Sequence, residues 1–138
     1  MKDTKSPMHY VCTWDEAAAL IAGQKEFWVC NCGCREGNGG CARSRMDLCI
    51  TFDENGTVTG SDHKKITLRE VDSILEEARQ KYLVCRPFRD EATRTTLEGL
   101  CFCCDDCCSY FLNPNETCDK GKYIEATDMR RCTHCGDC

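Results

Sequence analysis

Two stretches decide the fold: Phe27-Trp28-Val29-Cys30-Asn31-Cys32-Gly33-Cys34 and Leu97-Glu98-Gly99-Leu100-Cys101-Phe102-Cys103-Cys104. Each sets an apolar residue before Cys-x-Cys. Each is preceded by an apolar residue and a Cys, Val11-Cys12 in the first case and Val84-Cys85 in the second. The separations are similar, 18 positions from Cys12 to Cys30 and 16 from Cys85 to Cys101. Further thiols follow both: Cys34, Cys41 and Cys49 after the first, Cys104, Cys107, Cys108 and Cys118 after the second. The pattern predicts two copies of one unit, a short helix followed by Cys-x-Cys. Each copy holds at least the four thiolates that one metal centre needs.

The chain has 138 residues and 16 cysteines, about one residue in nine, with a net charge of -5. That cysteine density belongs to a protein scaffolded on sulfur. The acidic balance argues against nucleic acid or an anionic membrane surface as partner. No run approaches the roughly 18 apolar residues of a membrane span. Met1 to Tyr10 lacks the apolar stretch of a secretory signal, so a reducing, cytoplasmic setting is expected. Large aliphatic residues are scarce, and the cysteines are expected to hold the fold together. A disulfide framework is the plain reading of an even count. Against it, Cys30, Cys32 and Cys34, and the pairs Cys103-Cys104 and Cys107-Cys108, are too close in sequence to bond one another without strain. They are better placed to converge on a metal or cluster. Zinc sites usually come as paired Cys knuckles with His, and none of His9, His63 and His134 has finger spacing. The histidines are expected to be solvated or minor packing residues.

Cys132-Thr133-His134-Cys135-Gly136-Asp137-Cys138 is the most specific motif. Its Cys-x2-Cys-x2-Cys spacing brings three thiolates to one corner of an iron–sulfur cube, with backbone N–H groups toward the sulfides. Tyr123 to Thr127 reads as a short strand leading in. Here the sequence resembles the ferredoxin-type 4Fe–4S binding proteins of bacteria and archaea. The family pattern continues with a fourth Cys and a Pro, and this sequence stops at Cys138: either it is a truncated product, or a distant cysteine completes the site, or the cluster is lost. The order of motifs also resembles ferredoxin-like proteins with a Cys-rich N-terminal region, where Cys32-Gly33-Cys34-Arg35 and Cys49-Ile50-Thr51-Phe52 match the family elements. The resemblance implies an iron–sulfur, electron-handling role. The expected architecture is a small, cluster-stabilised α+β protein: a first Cys-rich unit with a hairpin over 1–66, a second with an amphipathic helix over 67–122, and a partial ferredoxin-type motif over 123–138.

Local signals fill in the units. Thr13-Trp14-Asp15-Glu16 is a capping box opening a helix to about Ala22, with Ala17, Leu20 and Ile21 inward. Phe27 to Cys30 reads as a strand. Glu36 to Gly40 is a flexible loop folding Cys41 back toward Cys30. Leu48 to Phe52 and Gly56 to Thr59 form a hairpin about Asn55-Gly56, followed by a polar connector over Asp62 to Lys65. Thr67-Leu68-Arg69-Glu70 caps the best helix, whose stripe is Leu68, Val71, Ile74, Leu75, Ala78 and Tyr82. Asp90 to Thr96 is a candidate third helix, and Asn113-Pro114-Asn115 a helix break. Asp105-Asp106 reads as a solvated helix start. Trp14 and Trp28 are core, and Arg43, Arg45, Arg130 and Arg131 pair with surface acids.

The metal ligands follow as two local sets: four of Cys30, Cys32, Cys34, Cys41 and Cys49, and four of Cys101, Cys103, Cys104, Cys107 and Cys108. Cys34 and Cys104 are the spares. Cys132, Cys135 and Cys138 are candidates for a third centre, and Cys118, Cys12 and Cys85 are secondary ones. The function expected is one-electron transfer by two 4Fe–4S clusters to a redox protein partner, with no nucleotide site and no catalytic triad. A zinc-stabilised binding module and an iron–sulfur subunit of a larger oxidoreductase are the alternatives. The three-thiolate tail has three outcomes, a cluster completed by Cys118, a three-thiolate cluster with an open or exogenous fourth ligand, or an empty tail, and the empty one is expected because a terminus frays. Truncation after Thr127 should therefore leave iron per chain unchanged, whereas a loss of about four iron atoms would reveal a third cluster.

Overall fold

The computed structural model describes residues 9–54, 60–90, 92–104, 106–113, 115, 119, 121–122 and 128–135, the side chains of 109 and 110 excepted. The order is α1 (Trp14–Ala22), β1 (Phe27–Cys30), α2 (Gly33–Gly37), β2 (Cys49–Thr51), β3 (Lys64–Ile66), α3 (Leu68–Gln80), β4 (Val84–Arg89), β5 (Leu97–Cys103) and α4 (Ser109–Leu112). The five strands form one antiparallel sheet in the order β3-β1-β2-β5-β4. The protein is thus a small α+β fold. The β2–β5 pairing, with Ile50 opposite Leu100, joins the two Cys-rich stretches in one sheet across the expected boundary at 66/67.

Both long helices start where the sequence predicts. Thr13 accepts from the Glu16 N–H while the Glu16 carboxylate accepts from the Thr13 N–H, and Thr67 and Glu70 repeat the arrangement. Such boxes satisfy two backbone donors that the first turn leaves orphaned. The helices bury Ala17 and Ile21, and Val71, Ile74 and Ala78, in one core with Phe27, Val29, Ile50, Ile66, Leu100 and Phe102. These strand residues share a sheet face by the two-residue alternation. Trp14 stacks on Phe102 with centroids 6.4 Å apart. The apolar core is therefore continuous on the helix side, larger than the composition suggests.

Several local expectations change. The α3 stripe is shorter at both ends: Leu68 is 52% and Tyr82 80% exposed. The helix stops at Gln80, Tyr82 takes φ +55°, and the buried Leu83 fills the place expected of it. Asp90 to Thr96 is a hairpin turn rather than a helix. The Asp90 carboxylate accepts from the backbone N–H groups of Thr93, Thr95 and Thr96, and the Asp90 N–H donates to the Thr96 carbonyl at 3.0 Å. An Asp that satisfies its own turn competes with helix formation. Thus Cys12 is followed by a helix and Cys85 sits in β4 of a β4–β5 hairpin, so the two supposed repeats are not alike in this interval. The polar connector contains β3, an edge strand carrying Lys64 and Lys65, the charges that blunt an exposed edge. Asn55 to Thr59, Asp105, Pro114, Cys118, Tyr123 to Thr127 and Cys138 lie outside the described residues, and with them the Asn-Gly turn and the lead-in strand.

Gly99 is required by the sheet. A Cβ there would collide with the Ile50 carbonyl of β2 and with the ring of Phe88, directly opposite on β4. For α3, Ile74→Ala should lower unfolding free energy by about 3 kcal/mol, and Leu68→Ala by less than about 0.5 kcal/mol, in urea titrations of the two variants.

Candidate metal centre

Strand direction gathers the thiols at one end of the sheet. β1 ends at Cys30, β2 begins at Cys49, β5 ends at Cys103, and β4 begins next to Cys85 and Arg86. Chain turns beyond these ends add the rest. Cys32 is the N-cap of α2, which carries Cys34 and Arg35. Gly39 and Gly40 then take φ +73° and +126°, and the turn they form returns the chain at Cys41. Beyond β5 the chain bends through Cys104 to Cys107, held by Asp106, whose carboxylate accepts from the Ala42 N–H at 2.8 Å. Asn38 donates to the Cys107 carbonyl at 2.8 Å. These two bonds pin the loop after α2 against the loop after β5.

The product is a three-thiol group. Cys41 Sγ lies 3.4 Å from Cys104 Sγ, and Cys104 Sγ lies 3.5 Å from Cys107 Sγ. All three sulfurs fall within 4.8 Å of one another, the arrangement of residues that bind a metal ion. The group draws one thiol from the first Cys-rich stretch and two from the second, so it spans the two halves that the sequence suggests as separate sets. Cys41 does not return to Cys30. Cys104, expected to be a spare, is central.

Arg35 is the residue the sequence reading left out of the site. It is 1% exposed, with Nη2 3.8 Å from Cys104 Sγ. Its Nε and Nη1 make no hydrogen bond of ordinary geometry. A buried guanidinium that no carboxylate meets is costly unless another negative charge faces it. Here it is met by sulfur, through a hydrogen bond with Cys41 and then by Cys32, Cys107 and Cys104 around it. Burial pushes the Cys41 thiol up, but hydrogen bonds from Arg35, Cys107 and the Arg43 backbone outweigh it and bring it down to about 7. Burial and hydrogen bonds with Cys41 and Cys104 push Cys107 up, so Cys41 gives up its proton before Cys107. Hydrogen bonding with Cys34, then burial, raises Cys32.

Arg86, 8% exposed, repeats the theme on β4: its Nη1 lies 3.7 Å from Cys103 Sγ and 3.9 Å from Cys108 Sγ, and Nη2 lies 3.1 Å from His9 Nδ1. The bond with Cys108, and then the charge of Arg86, lower Cys103 to about 7 against its burial. The only sequence signal for either arginine is its position, directly after Cys34 and after Cys85. Of the arginines singled out in the sequence, Arg45 pairs with Asp47 and Glu77, and Arg130 with Asp128.

The remaining cysteines separate. Cys12 and Cys85 lie in the helix-side core, where hydrogen bonding with Cys12, then burial, holds the Cys85 thiol well up and neutral. Cys30, Cys49 and Cys101 lie on the opposite sheet face. Cys132 is half-buried and Cys135 exposed, while Cys118 and Cys138 lie outside the described residues. All the described cysteines are free thiols. His63 packs on Trp28 and meets the Thr51 hydroxyl at 3.0 Å, a packing role as expected.

The fold and this group define a cysteine-rich α+β protein with a thiol site able to bind metal, and no described helix is long and apolar enough to cross a membrane. No protein-family model, curated protein or solved structure matches the chain.

Arg35→Gln should move the pH midpoint of metal uptake upward by about one unit, since a charge-assisted hydrogen bond is worth about 1.5 kcal/mol. Thiols that lose their cation keep their protons to higher pH, and the metal must displace them. Arg35→Lys should recover part of the shift, read from thiolate-to-Cd2+ charge-transfer absorbance against pH.

Proposed function

We propose that the chain is an iron–sulfur protein whose role is to carry single electrons to and from a redox protein partner. The observation that carries the reading is the burial of Arg35 and Arg86 among thiols. A cluster held by thiolates is net anionic, and buried cations beside it offset its charge and stabilise the reduced state. The donor set fits: Cys41, Cys104 and Cys107 converge, and Cys32 and Cys34 lie alongside around Arg35. A bound cluster supplies reversible one-electron chemistry. The protein's part is to exclude water with the buried sheet end, to hold the thiols deprotonated through the two guanidinium groups, and to set the local charge.

One observation favours a second reading, a single structural ion. The separations of 3.4 and 3.5 Å are close to the roughly 3.8 Å edge of a tetrahedron of sulfurs around zinc. In that case the chain is a zinc-stabilised binding module. Metal and acid-labile sulfide analysis of the anaerobically purified full chain, with EPR after reduction, separates the two. Iron, sulfide and a signal that appears on one-electron reduction are expected. Zinc without iron or sulfide would overturn the electron-carrier reading.

A further inference from the structure

A second set of sulfurs stands apart from the Cys41 group, on the sheet face turned away from α1 and α3. Cys30 of β1 lies directly opposite Cys49 of β2. Ile50 opposite Leu100 sets Cys49 opposite Cys101 of β5, and Arg86 of β4 lies opposite Cys101. Three thiols and a guanidinium therefore form one row across four adjacent strands. Directly opposed residues have Cβ atoms about 5 Å apart, within reach of a shared ion. Cys49 Sγ and Cys101 Sγ are 3.6 Å apart, again near the roughly 3.8 Å edge of a tetrahedral thiolate site. Cys103, two residues along β5 from Cys101, shares this face and touches Arg86.

Inert core cysteine is the plain alternative, because a free thiol packs like a small apolar group. The two faces of the same strands argue against it. On the helix side, the neighbouring positions Val29, Ile50 and Leu100 carry the large aliphatic residues of an ordinary core. On the other side, the register positions 30, 49 and 101 all carry Cys, and among the described residues the buried cluster there adds only Phe88. Cys30 and Cys49 are 0% and 1% exposed, and Cys101 is half-buried against them. The row also ends on a buried cation, which an apolar core would not accept without an anion.

We infer that Cys49 and Cys101, flanked by Cys30 and Cys103, form a second metal–thiolate centre, distinct from the Cys41–Cys104–Cys107 group. The class of ligand is a soft or borderline metal, for which an all-sulfur donor set is selective. The inference rests on the metal–thiolate reading above but not on which metal is bound.

The probe is cadmium, read by 113Cd NMR on the full chain carrying Cys132→Ser and Cys135→Ser, so that exposed tail thiols add no signal. Cys49→Ser and Cys101→Ser should each abolish a thiolate-bound resonance that Cys107→Ser leaves, and Cys107→Ser should abolish one that they leave. Cys85→Ser, buried on the other face, should retain both and controls for lost packing. A single resonance in the chain with all its sheet thiols intact overturns the second centre, even where a variant does not fold. So does loss of the same signals in all three variants, or none in Cys49→Ser and Cys101→Ser. Iron and sulfide analysis bears on the electron-carrier reading separately. Zinc with two cadmium signals sinks that reading alone, and an iron–sulfur protein with one signal sinks only the second centre.

Discussion

A guanidinium group shut away from water and met by sulfur is the constraint around which this molecule is arranged. Arg35 of α2 lies against Cys104, and Arg86 of β4 against Cys103 and Cys108. Removing a cation from water costs several kcal/mol unless anions face it closely. Thiols supply those anions only by giving up protons. Cation and thiolates therefore require each other, and Cys41 and Cys103, both brought to about 7, show the cation's share in the effect. Three thiolates and a divalent ion leave one negative charge, the charge a single Arg35 balances. A metal binding there would meet Cys41 readily deprotonated, and would have to displace the proton of Cys107.

The second condition is the pairing of β2 with β5. Each Cys-rich stretch alone holds enough sulfur for a metal, and the local reading gave each its own site. Pairing across the middle of the sheet instead places Cys49 beside Cys101 and brings the loops beyond the strand ends together. Two bonds, Asp106 to the Ala42 N–H and Asn38 to the Cys107 carbonyl, then fix Cys41 against Cys104 and Cys107. Gly99 makes the pairing possible, since a side chain there would sit where the Ile50 carbonyl and the Phe88 ring meet. The sheet also divides labour. One face is a conventional apolar core closed by α1 and α3, and the other face with its open end is given to sulfur.

What could be read from the sequence was whatever depends on near neighbours in the chain. Both capping boxes, the strand Phe27–Cys30, the buried side of α3 and the thiol-rich, non-disulfide character all follow from spacings of one to four residues. Local signals erred where a side chain could serve two conformations. Asp90 could begin a helix or close a turn, and three backbone donors within reach of its carboxylate settled it as a turn. The edge strand Lys64–Ile66 read as a connector because lysines on an edge strand look like a solvated loop.

By itself, then, the sequence determined an α+β chain with sulfur-rich segments and two capped helices, because hydrogen bonds within a turn and side-chain periodicity are set over a few residues. Tertiary structure alone decided which thiols meet and that Arg35 and Arg86 meet them. Cys41 lies 63 positions from Cys104, and Cys49 lies 52 from Cys101. Contacts over that separation depend on sheet register, and register follows from which strand faces are apolar and how the strands pair, not from the spacing of cysteines along the chain.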